Sequence, residues 1–365
     1  MYSSKLRKHL NDFTKSDYLK IGMTDNNGPI VDCSFGVNPF GHPENILIEN
    51  KGTPIEIGPY PELGAFEFRD ELIKYWEAIV KLDYNNLAIS DGSMGLINSL
   101  NSLFIDVEDR VLGYSPQFPE FVDSLRFHGG IYVPVLLDKE KNYKFSLDEF
   151  IAALEWGDYK YIYIDNPNNP TGQIINISDI ESIIKRAWEL NIIVLIDEAY
   201  GDYMTMQNSA ISLIHKYNNF YVLKSFSKAY SLAGIRIGYL VGSSELMGLY
   251  SLVDDFLINR VALHVALKAL NHKDYLKGTI NRTRENKNEL IGSFNKLKVL
   301  ETAPEVPIFT VFTENESIDL YKALKDHGIE TSSGFYNLGK NSVRIRIPET
   351  NATLVQILSN FEKTI

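Results

Sequence analysis

Residues 225–239 read SFSKAYSLAGIRIGY and place one lysine, Lys228, among small and hydroxyl-bearing residues, with Arg236 further along. The stretch overlaps the apolar run FYVLKSF (220–226), which predicts a buried strand. One interpretation is a solvated loop that carries two unrelated cations. The other is a lysine that reaches a bound carbonyl compound, with hydroxyl and backbone donors arranged around an anion. The rest of the sequence decides between them.

The composition is that of a globular protein whose main partner is neither nucleic acid nor an anionic membrane. Apolar residues make up 44% of the 365 residues and charged residues 23%, and 36 basic against 47 acidic side chains give a formal net charge of −11. A chain of this length predicts one large domain and a smaller one.

Cysteine and histidine usage argue against a metal site, and the N-terminus argues against export. Cys33 is the only cysteine, so neither a disulfide framework nor a cysteine metal cage is expected. The seven histidines form no HxxxH or HxxEH pair, so we also expect no histidine-based metal site. The N-terminal stretch lacks the apolar core of a signal peptide, and no apolar stretch approaches the ~20 residues that span a bilayer. We therefore expect a cytoplasmic protein that does not contact a membrane.

The middle of the chain alternates short apolar runs with amphipathic helical patterns. The strand candidates are NLAIS (86–90), RVLGYS (110–115), IYVPVLL (131–137), KYIYIDNP (160–167), NIIVLID (191–197) and FYVLKSF (220–226). This alternation predicts an α/β fold, with a large doubly wound domain and a mostly parallel sheet over residues 53–265. Beyond it, a charged helix and short strands predict a smaller α+β domain over 266–365, joined by the N-terminal segment 1–52.

Polar and aromatic side chains follow five of these strands. Because ligands of open α/β sheets lie at the carboxyl ends of the strands, these side chains are expected to meet. They are the Gly92-Ser93-Met94 turn, Phe118, Asn169, Asp197 and Lys228. Alone, the turn is a common strand-to-helix connection and Phe118 a core residue. Together they supply an anion cradle, an aromatic face, an amide, a buried acid and an amine, which suits a planar heteroaromatic aldehyde that carries a phosphate.

Three motifs of the sequence resemble those of a known family. NNPTG (168–172), IDEAY (196–200) and SFSKAYSLAGIRIGY (225–239) are similar to motifs of the pyridoxal-phosphate-dependent class I/II aminotransferases of fold type I. The resemblance runs from VNPFG (37–41) to VRIRIP (343–348). Chain length, VNPFG and the short N-terminal segment place it nearest the histidinol-phosphate aminotransferase and threonine-phosphate decarboxylase branch.

The resemblance implies pyridoxal 5'-phosphate as cofactor and a role for each motif residue. Lys228 would form the Schiff base and then move the proton between the substrate α-carbon and the cofactor C4′. Asp197 would pair with the pyridinium nitrogen. Asn169 and Tyr200 would donate to the phenolic oxygen, and Phe118 would stack on the ring.

The resemblance also implies how the cofactor phosphate is held and that the protein is a homodimer. The expected phosphate contacts are Gly92, Ser93, Met94, Ser225, Ser227 and Arg236. Arginine suits this task because its planar fork engages two phosphate oxygens. Tyr60, in IGPYPELG, matches a tyrosine that reaches the phosphate of the partner subunit.

The resemblance specifies the contacts to the substrate less fully than the contacts to the cofactor. Arg344 matches the arginine that binds the substrate α-carboxylate, and Asn38 matches a loop at the substrate entrance. Arg346 would point to the same side of a strand as Arg344, as a second contact or as a solvated charge. Arg260 is a further candidate for a distal substrate group. The branch carries an arginine for a substrate phosphate where this chain has Ser332, so a phosphorylated substrate requires a substitute such as Arg346, Arg260 or an N-terminal residue.

The expected reaction is transfer of the amino group of an L-amino acid, with a histidinol-phosphate-like donor as one option, to a 2-oxo acid. Decarboxylation, elimination or cyclisation on the same scaffold remains the alternative, because the bond that breaks depends on its alignment with the ring. A non-catalytic ligand-binding regulator is a third hypothesis, and the intact Lys228, Asp197 and Arg236 argue against it. A dehydrogenase is excluded because no GxGxxG follows a strand candidate.

Overall fold

The computed structural model describes residues 6–16, 18, 29–46, 55, 58, 60–61, 64–254, 258–272 and 274–365. Its helices are α1 (Phe66–Trp76), α2 (Ser93–Phe104), α3 (Pro119–His128), α4 (Leu147–Trp156), α5 (Ile177–Glu189), α6 (Ser244–Tyr250), α7 (Arg260–Asn271), α8 (Tyr275–Gly292), α9 (Leu320–Asp326) and α10 (Ala352–Phe361). Its strands are β1 (Val31–Asp32), β2 (Leu87–Ser90), β3 (Arg110–Ser115), β4 (Ile131–Leu136), β5 (Tyr161–Asp165), β6 (Ile193–Glu198), β7 (Phe220–Ser225), β8 (Gly238–Gly242), β9 (Lys298–Val299), β10 (Ile308–Phe312), β11 (Ile329–Glu330) and β12 (Ser342–Arg346).

The large sheet brings the carboxyl ends of neighbouring strands to one edge. Within the described ranges its seven strands have the order β2-β8-β7-β6-β5-β3-β4. The five strands β4, β3, β5, β6 and β7 all run parallel to one another. Strand β8 is antiparallel to both of its neighbours, β7 and β2. The prediction of an α/β fold with a mostly parallel sheet is confirmed. Strand β8 was not predicted from the sequence, because GYLVG is short and bounded by glycines.

This sheet is buried on both faces. On β5, Ile162 and Ile164 pack into one apolar layer, whereas Tyr161 and Tyr163 pack into the other, because side chains alternate along a strand. Helix α5 covers the first layer with isoleucines at helical spacing, which explains why its sequence is amphipathic. Strands with two buried faces need apolar residues throughout, and this is the pattern that made β5, β6 and β7 recognisable.

The C-terminal elements build a second, smaller core. Strands β12, β10 and β9 form a three-stranded antiparallel sheet within the described residues. The short strand β1 pairs in parallel with β11, so residues 31–32 lie with the C-terminal elements. The domain boundaries given above stay a prediction, and residues 52 and 53 lie outside the described ranges. In the described part of the chain, no helix combines the length and apolar character needed to cross a bilayer.

Candidate active site

A cavity of about 130 Å³ lies at the carboxyl ends of β5, β6 and β7. It is lined by Ser93, Met94, Phe118, Asp165, Pro167, Asn169, Asp197, Ala199, Tyr200, Ser227, Lys228 and Arg236. Parallel strands end at the same edge of a sheet, and this is why residues far apart in sequence meet here. A larger cavity of about 690 Å³, lined by residues such as Lys139 and Asn341, contains none of the predicted site residues. The side-chain chemistry, and not the volume, therefore identifies the candidate site.

Lys228 follows the end of β7. Its backbone carbonyl accepts hydrogen bonds, and its side chain lies near an aromatic ring. Its carbonyl oxygen accepts hydrogen bonds from the backbone N–H groups of Asn38, at 3.0 Å, and Ser231, at 3.1 Å. Its Nζ lies 5.5 Å from the centre of the Tyr200 ring. Burial lowers the pKa of Lys228 from its ordinary value. The amine is therefore more readily neutral, and so nucleophilic, than a solvated lysine.

Asp197 stands near the end of β6 with a defined set of donors. Its Oδ2 accepts from the Tyr163 hydroxyl at 2.8 Å, and its Oδ1 accepts from the backbone N–H of Ala199 at 2.8 Å. The ring of Tyr163 is in turn stacked on Phe121, with ring centres 3.5 Å apart. Burial raises the pKa of Asp197, although these hydrogen bonds oppose the shift. A cationic partner in the cavity would keep this buried acid ionised.

Asn169 forms hydrogen bonds both to the large sheet and to Arg344 in the C-terminal region. Its backbone N–H donates to Oδ2 of Asp165 at 2.9 Å, and its side-chain Oδ1 accepts from Nη1 of Arg344 at 2.8 Å. Asp165 also accepts from Tyr114 at 2.7 Å and from Asn168 at 3.0 Å. Burial raises the pKa of Asp165 to about 7. Asp165 was not among the predicted site residues, although it ends the strand candidate KYIYID that leads to Asn169.

Tyr200 has a buried hydroxyl for which the described residues provide no hydrogen-bond partner. A Cβ at Gly36 would lie 1.7 Å from this hydroxyl oxygen, so only glycine leaves room for it. Burial raises the pKa of Tyr200, which keeps the hydroxyl protonated and able to donate. An orphaned buried donor is rare in folded proteins and indicates a ligand acceptor.

A cradle for an anion lies between the start of α2 and the guanidinium of Arg236. Helix α2 begins at Ser93, directly after Gly92, whose φ is 98°. A Cβ at Gly92 would lie 3.0 Å from Nη2 of Arg236, so a side chain there would fill the cradle. Arg236 Nη1 also donates to the Ser227 hydroxyl at 3.4 Å. Helix N-termini and guanidinium groups both favour phosphate.

Ser225 and Ser227 lie next to each other at the end of β7. The Ser225 hydroxyl accepts from the backbone N–H of Ser227 at 3.1 Å, and Ser227 lines the cavity. Met94 and Phe118 line it as well, so the structure brings the predicted turn and the predicted aromatic residue together with Lys228.

Arg344 is fully buried, and its partners come from distant parts of the chain. Nη1 donates to the Tyr18 hydroxyl and to Oδ1 of Asn169, each at 2.8 Å. Nη2 donates to the carbonyl of Ser34 and to the Ser332 hydroxyl, the latter at 2.7 Å. Nε has no partner among the described residues, and no described carboxylate forms an ion pair with the guanidinium. A buried cation without a counter-ion predicts an anionic ligand.

Tyr18 was not selected from the sequence, yet its side chain lies against Arg344. Its ring packs edge-on against Phe118, with centres 5.6 Å apart, and against Phe335, with centres 5.8 Å apart. Burial alone would raise the pKa of Tyr18, but the charges of Arg344 and Lys228 lower it. The surrounding sequence has no regular apolar period, so no pattern predicts this contact.

The remaining predicted residues lie outside the cavity lining. Tyr60 is 85% exposed, and its carbonyl accepts from Nη1 of Arg260 at 3.3 Å. Arg346 donates to the backbone carbonyls of Asp32 and Ile347. The side-chain amide of Asn38 donates to the Ala229 carbonyl at 2.9 Å and to the Tyr275 hydroxyl at 2.8 Å.

A buried ion triad supports the strand end from the other face of the sheet. Lys224 Nζ lies 2.9 Å from Oδ1 of Asp202 and 3.5 Å from Oε2 of Glu198, and all three side chains are almost fully buried. Burial would lower the pKa of Lys224, but Asp202 and Glu198 raise it above its ordinary value. The triad therefore fixes the turn after Asp197 that carries Tyr200.

These residues fit pyridoxal 5'-phosphate. The amine of Lys228 suits its aldehyde, the acid of Asp197 its ring nitrogen, and the orphaned hydroxyl of Tyr200 its phenolic oxygen. The glycine-lined space between α2 and Arg236 suits its phosphate.

Known proteins resemble this chain over most of its length. Two curated relatives, the histidinol-phosphate aminotransferases of Ruminiclostridium cellulolyticum and of a Thermoanaerobacter strain, are each 30% identical to it, over 75% and 80% of both chains respectively. The crystal structure of histidinol-phosphate aminotransferase from Sinorhizobium meliloti in complex with pyridoxal-5'-phosphate has a TM-score of 0.85 at 20% identity, covering 99% of this chain and 98% of that one. The structure of L-threonine-O-3-phosphate decarboxylase from Porphyromonas gingivalis has a TM-score of 0.74 at 21% identity, covering 92% and 100%.

The solved structures show the shared fold, and the family assignment comes from the sequence. The model of the family described as aminotransferase class I and II matches residues 36–360. This match covers the residues that line the cavity, Arg344, and the seven-stranded and three-stranded sheets. The chain therefore belongs to the aminotransferase class I and II family and is a pyridoxal-phosphate-dependent aminotransferase, as its motifs predict.

Proposed function

We propose that this protein transfers the amino group of an L-α-amino acid to a 2-oxo acid, with Lys228 as the residue that bonds the cofactor. The observation that carries the proposal is the convergence of Lys228, Asp197 and Asn169 on one cavity, with Arg344 hydrogen-bonded to Asn169. An amine, a buried acid and an amide thus line one cavity, and the amide is hydrogen-bonded to a buried cation.

Asp197, Asn169 and Tyr200 would hold the cofactor ring. When bound, pyridoxal 5'-phosphate supplies a protonated ring that accepts electrons from the substrate α-carbon. Asp197, oriented by Tyr163 and the N–H of Ala199, would hold the ring nitrogen in its protonated form. The Tyr200 hydroxyl and the Nδ2 group of Asn169 would donate to the phenolic oxygen. Asn169 is fixed for this because its Oδ1 is already bound to Arg344.

The phosphate would occupy the cradle at the start of α2. Backbone N–H groups at Ser93 and Met94, the hydroxyls of Ser225 and Ser227, and the guanidinium of Arg236 are the proposed donors. Gly92 keeps the space between the helix end and Arg236 open. The proposal thus gives Arg236 a ligand role beyond its bonds to Ser227 and the carbonyl of Ala233.

Lys228 would also carry the proton. Its Nζ lies beside the Tyr200 ring, and its pKa is lowered by burial, so a neutral amine is available to accept the α-proton of the substrate. The backbone bonds from Asn38 and Ser231 to the Lys228 carbonyl restrict the direction from which the side chain approaches.

Arg344 would bind the carboxylate of the amino acid and, in the second half-reaction, that of the 2-oxo acid. The guanidinium is buried without a counter-ion, and Nε is free of described partners. Described partners already accept four of its five N–H groups, so a carboxylate would accept from the Nε–H and displace one of those partners to gain a second hydrogen bond. The carboxylate would supply the missing negative charge. Relatives named for histidinol phosphate make that compound one donor to test.

A screen of amino donors tests this function. The purified holoenzyme is mixed with single L-amino acids and with histidinol phosphate, and the absorbance of the cofactor is followed. We expect at least one donor to convert the cofactor to its amine form and a 2-oxo acid to convert it back. Release of CO₂ with recovery of the starting spectrum would show a decarboxylase instead, and no spectral change with any donor would contradict amino transfer.

We also propose a homodimer in which Tyr60 of one subunit contributes to the phosphate site of the other. The supporting observation is that Tyr60 is exposed and does not line the cavity of its own chain. Subunits that carry Lys228→Ala are mixed with subunits that carry Tyr60→Ala and allowed to exchange. If Tyr60 acts across the interface, the hybrid regains one intact site and activity rises above that of either parent. No recovery in a hybrid proven to have formed would contradict the trans role.

A further inference from the structure

Asp165, at the end of β5, is a second buried carboxyl group on the cavity wall, and the proposed function does not use it. It lines the cavity together with Asp197, and the two residues are register partners on the neighbouring strands β5 and β6. Neighbouring strands lie about 4.8 Å apart. Two ionised carboxylates this close in a buried site repel each other, so we expect one of them to keep a proton.

The contacts of Tyr114 indicate where that proton lies. The Tyr114 hydroxyl oxygen lies 2.7 Å from Oδ1 of Asp165 and 2.7 Å from the backbone carbonyl oxygen of Asp165. Burial raises the pKa of Tyr114, so the hydroxyl keeps its hydrogen, but one hydrogen completes only one of these two bonds. A carbonyl cannot donate, whereas a neutral carboxyl group can. Both bonds are complete when Tyr114 donates to the carbonyl and the Asp165 carboxyl group donates to Tyr114.

The surroundings favour the neutral form of Asp165 more than that of Asp197. Burial raises the pKa of both carboxyl groups, and raises that of Asp165 to about 7. The charges of Lys228 and Lys224 oppose the shift at Asp197, whereas no cation in the described ranges forms an ion pair with Asp165. The other titratable groups around Asp165 are Tyr114 on β3, Tyr132 on β4, Tyr163 on β5 and, in the cavity lining, Lys228 and Arg236.

The same carboxyl group holds the turn that carries Asn169. Its Oδ2 accepts from the backbone N–H of Asn169 at 2.9 Å, and its Oδ1 accepts from Nδ2 of Asn168 at 3.0 Å. Oδ1 of Asn168 in turn accepts from the backbone N–H of Thr171 at 3.1 Å, so the bonds continue through the turn. A proton on Oδ1 of Asp165 is compatible with all of these bonds, because a hydroxyl oxygen both donates and accepts.

We propose that Asp165 is a positioning residue of the cofactor site, which as a neutral carboxylic acid donates to Tyr114 and holds Asn169, and which weakens cofactor binding when it ionises. The inference rests on the proposed function and deepens it, because Asn169 is the donor proposed there for the phenolic oxygen. An ionised Asp165 would lack the hydrogen for Tyr114 and would add a negative charge to a wall that faces an anionic cofactor. Cofactor binding therefore favours the protonated group, so affinity is lost as pH rises through its pKa.

Infrared spectroscopy of the full-length holoenzyme tests the proton directly. Asp165→Asn keeps the shape of the neutral acid, because its amide can donate to Tyr114 and accept from Asn169. The spectrum of the native protein minus that of the variant should contain the carbonyl band of a neutral carboxyl group at about pH 6, and this band should decline towards about pH 9. Absence of the band at about pH 6 overturns the inference.

The pH dependence of cofactor affinity tests the coupling. Equilibrium dialysis gives the dissociation constants of pyridoxal 5'-phosphate for the native protein and for Asp165→Asn at about pH 6 and about pH 8. The ratio of the native constant to the variant constant should rise about threefold or more between these values, since the cofactor and Lys228 titrate in both proteins alike. A ratio that does not change with pH overturns the inference.

A second variant identifies the infrared band if Asp165→Asn does not fold. Tyr114→Phe removes the acceptor of the proton and keeps the ring, so it should move the band of the neutral carboxyl group to a new position. A band that stays at the native position would assign the proton to another acid and overturn the inference. None of these measurements requires turnover, so a protein that fails the donor screen still reports the state of Asp165.

Discussion

Gly36 and the Tyr200 hydroxyl are matched in space, since a Cβ at Gly36 would lie 1.7 Å from that oxygen and 2.8 Å from the ring carbon that bears it. The hydroxyl has no partner among the described residues. Gly36 therefore leaves room for a donor that the fold itself does not use. A side chain at residue 36 would displace Tyr200 from the cavity wall.

The first prediction concerns this pair. Gly36→Ala should lower the free energy of unfolding by about 1–3 kcal/mol, the usual cost of overpacking, and weaken cofactor binding. Tyr200→Phe removes the nearest atom that the new methyl group would meet, so the double variant should lose less stability than the sum of the two single variants. Chemical denaturation of the four proteins measures the coupling. Strict additivity would contradict the contact.

The second prediction concerns the covalent bond to the cofactor. Lys228→Ala should lose the label at the cofactor site when the protein is treated with stoichiometric pyridoxal 5'-phosphate and borohydride and then digested, because Lys228 is the lysine among the residues that line the cavity. Lys277→Ala, at an exposed position on α8, is the matched control and should label like the native protein. Label retained at another lysine within the site would refute the role of Lys228.

The third prediction concerns the phosphate cradle. Arg236→Ala should weaken cofactor retention about 10- to 100-fold, the range expected for a lost charged hydrogen bond, and Arg236→Lys should weaken it less. Equilibrium dialysis of the cofactor against each variant gives the dissociation constants. Equal retention in the native protein and Arg236→Ala would remove Arg236 from the phosphate site.

The fourth prediction concerns the pH dependence of stability. Burial raises the pKa of Asp165 from 3.8 to about 7 in the folded protein. The folded state therefore holds a proton that the unfolded chain has released between these values, so the free energy of unfolding falls as pH rises across this window. Asp165→Asn cannot titrate and should show a smaller decline from pH 4 to 7. Parallel pH profiles of the two proteins would contradict the shifted pKa.

The fifth prediction concerns the ion triad under the strand end. Lys224→Met leaves Glu198 and Asp202 buried without a cation and should cost about 3–5 kcal/mol. Replacing all three residues, with Glu198→Gln and Asp202→Asn added, should recover much of the loss because no unpaired charge remains. Denaturation midpoints compare the variants. A triple variant no more stable than Lys224→Met would show that packing, and not charge, sets the cost.

The residues at the strand ends were predictable from the sequence because their environment is encoded locally. Asn169, Asp197 and Lys228 each follow an apolar run, and parallel strands bring such positions to one edge. Strand β8 was not predictable in this way, since its five residues carry no period of their own. Its antiparallel place beside β7 depends on pairing with both β7 and β2.

Contacts between distant segments were the other part that sequence patterns did not reveal. Tyr18 lies 326 residues from Arg344, and its position depends on the aromatic rings that receive it. Tyr163 lies within the strand candidate KYIYIDNP, and only the structure shows that its hydroxyl donates to Asp197. The need for glycine at position 36 follows from the position of the Tyr200 hydroxyl opposite it, which the sequence does not reveal.

The partners of Arg344 have a consequence for how the protein folds. Its guanidinium ties together residues separated by 326, 310 and 175 positions in the chain. Contacts with such separations close late, because the entropy of closing long loops must be overcome first. We therefore expect the surroundings of Arg344 to be completed after the seven-stranded sheet, so that a partly folded chain would form the cavity around Lys228 before the proposed carboxylate site.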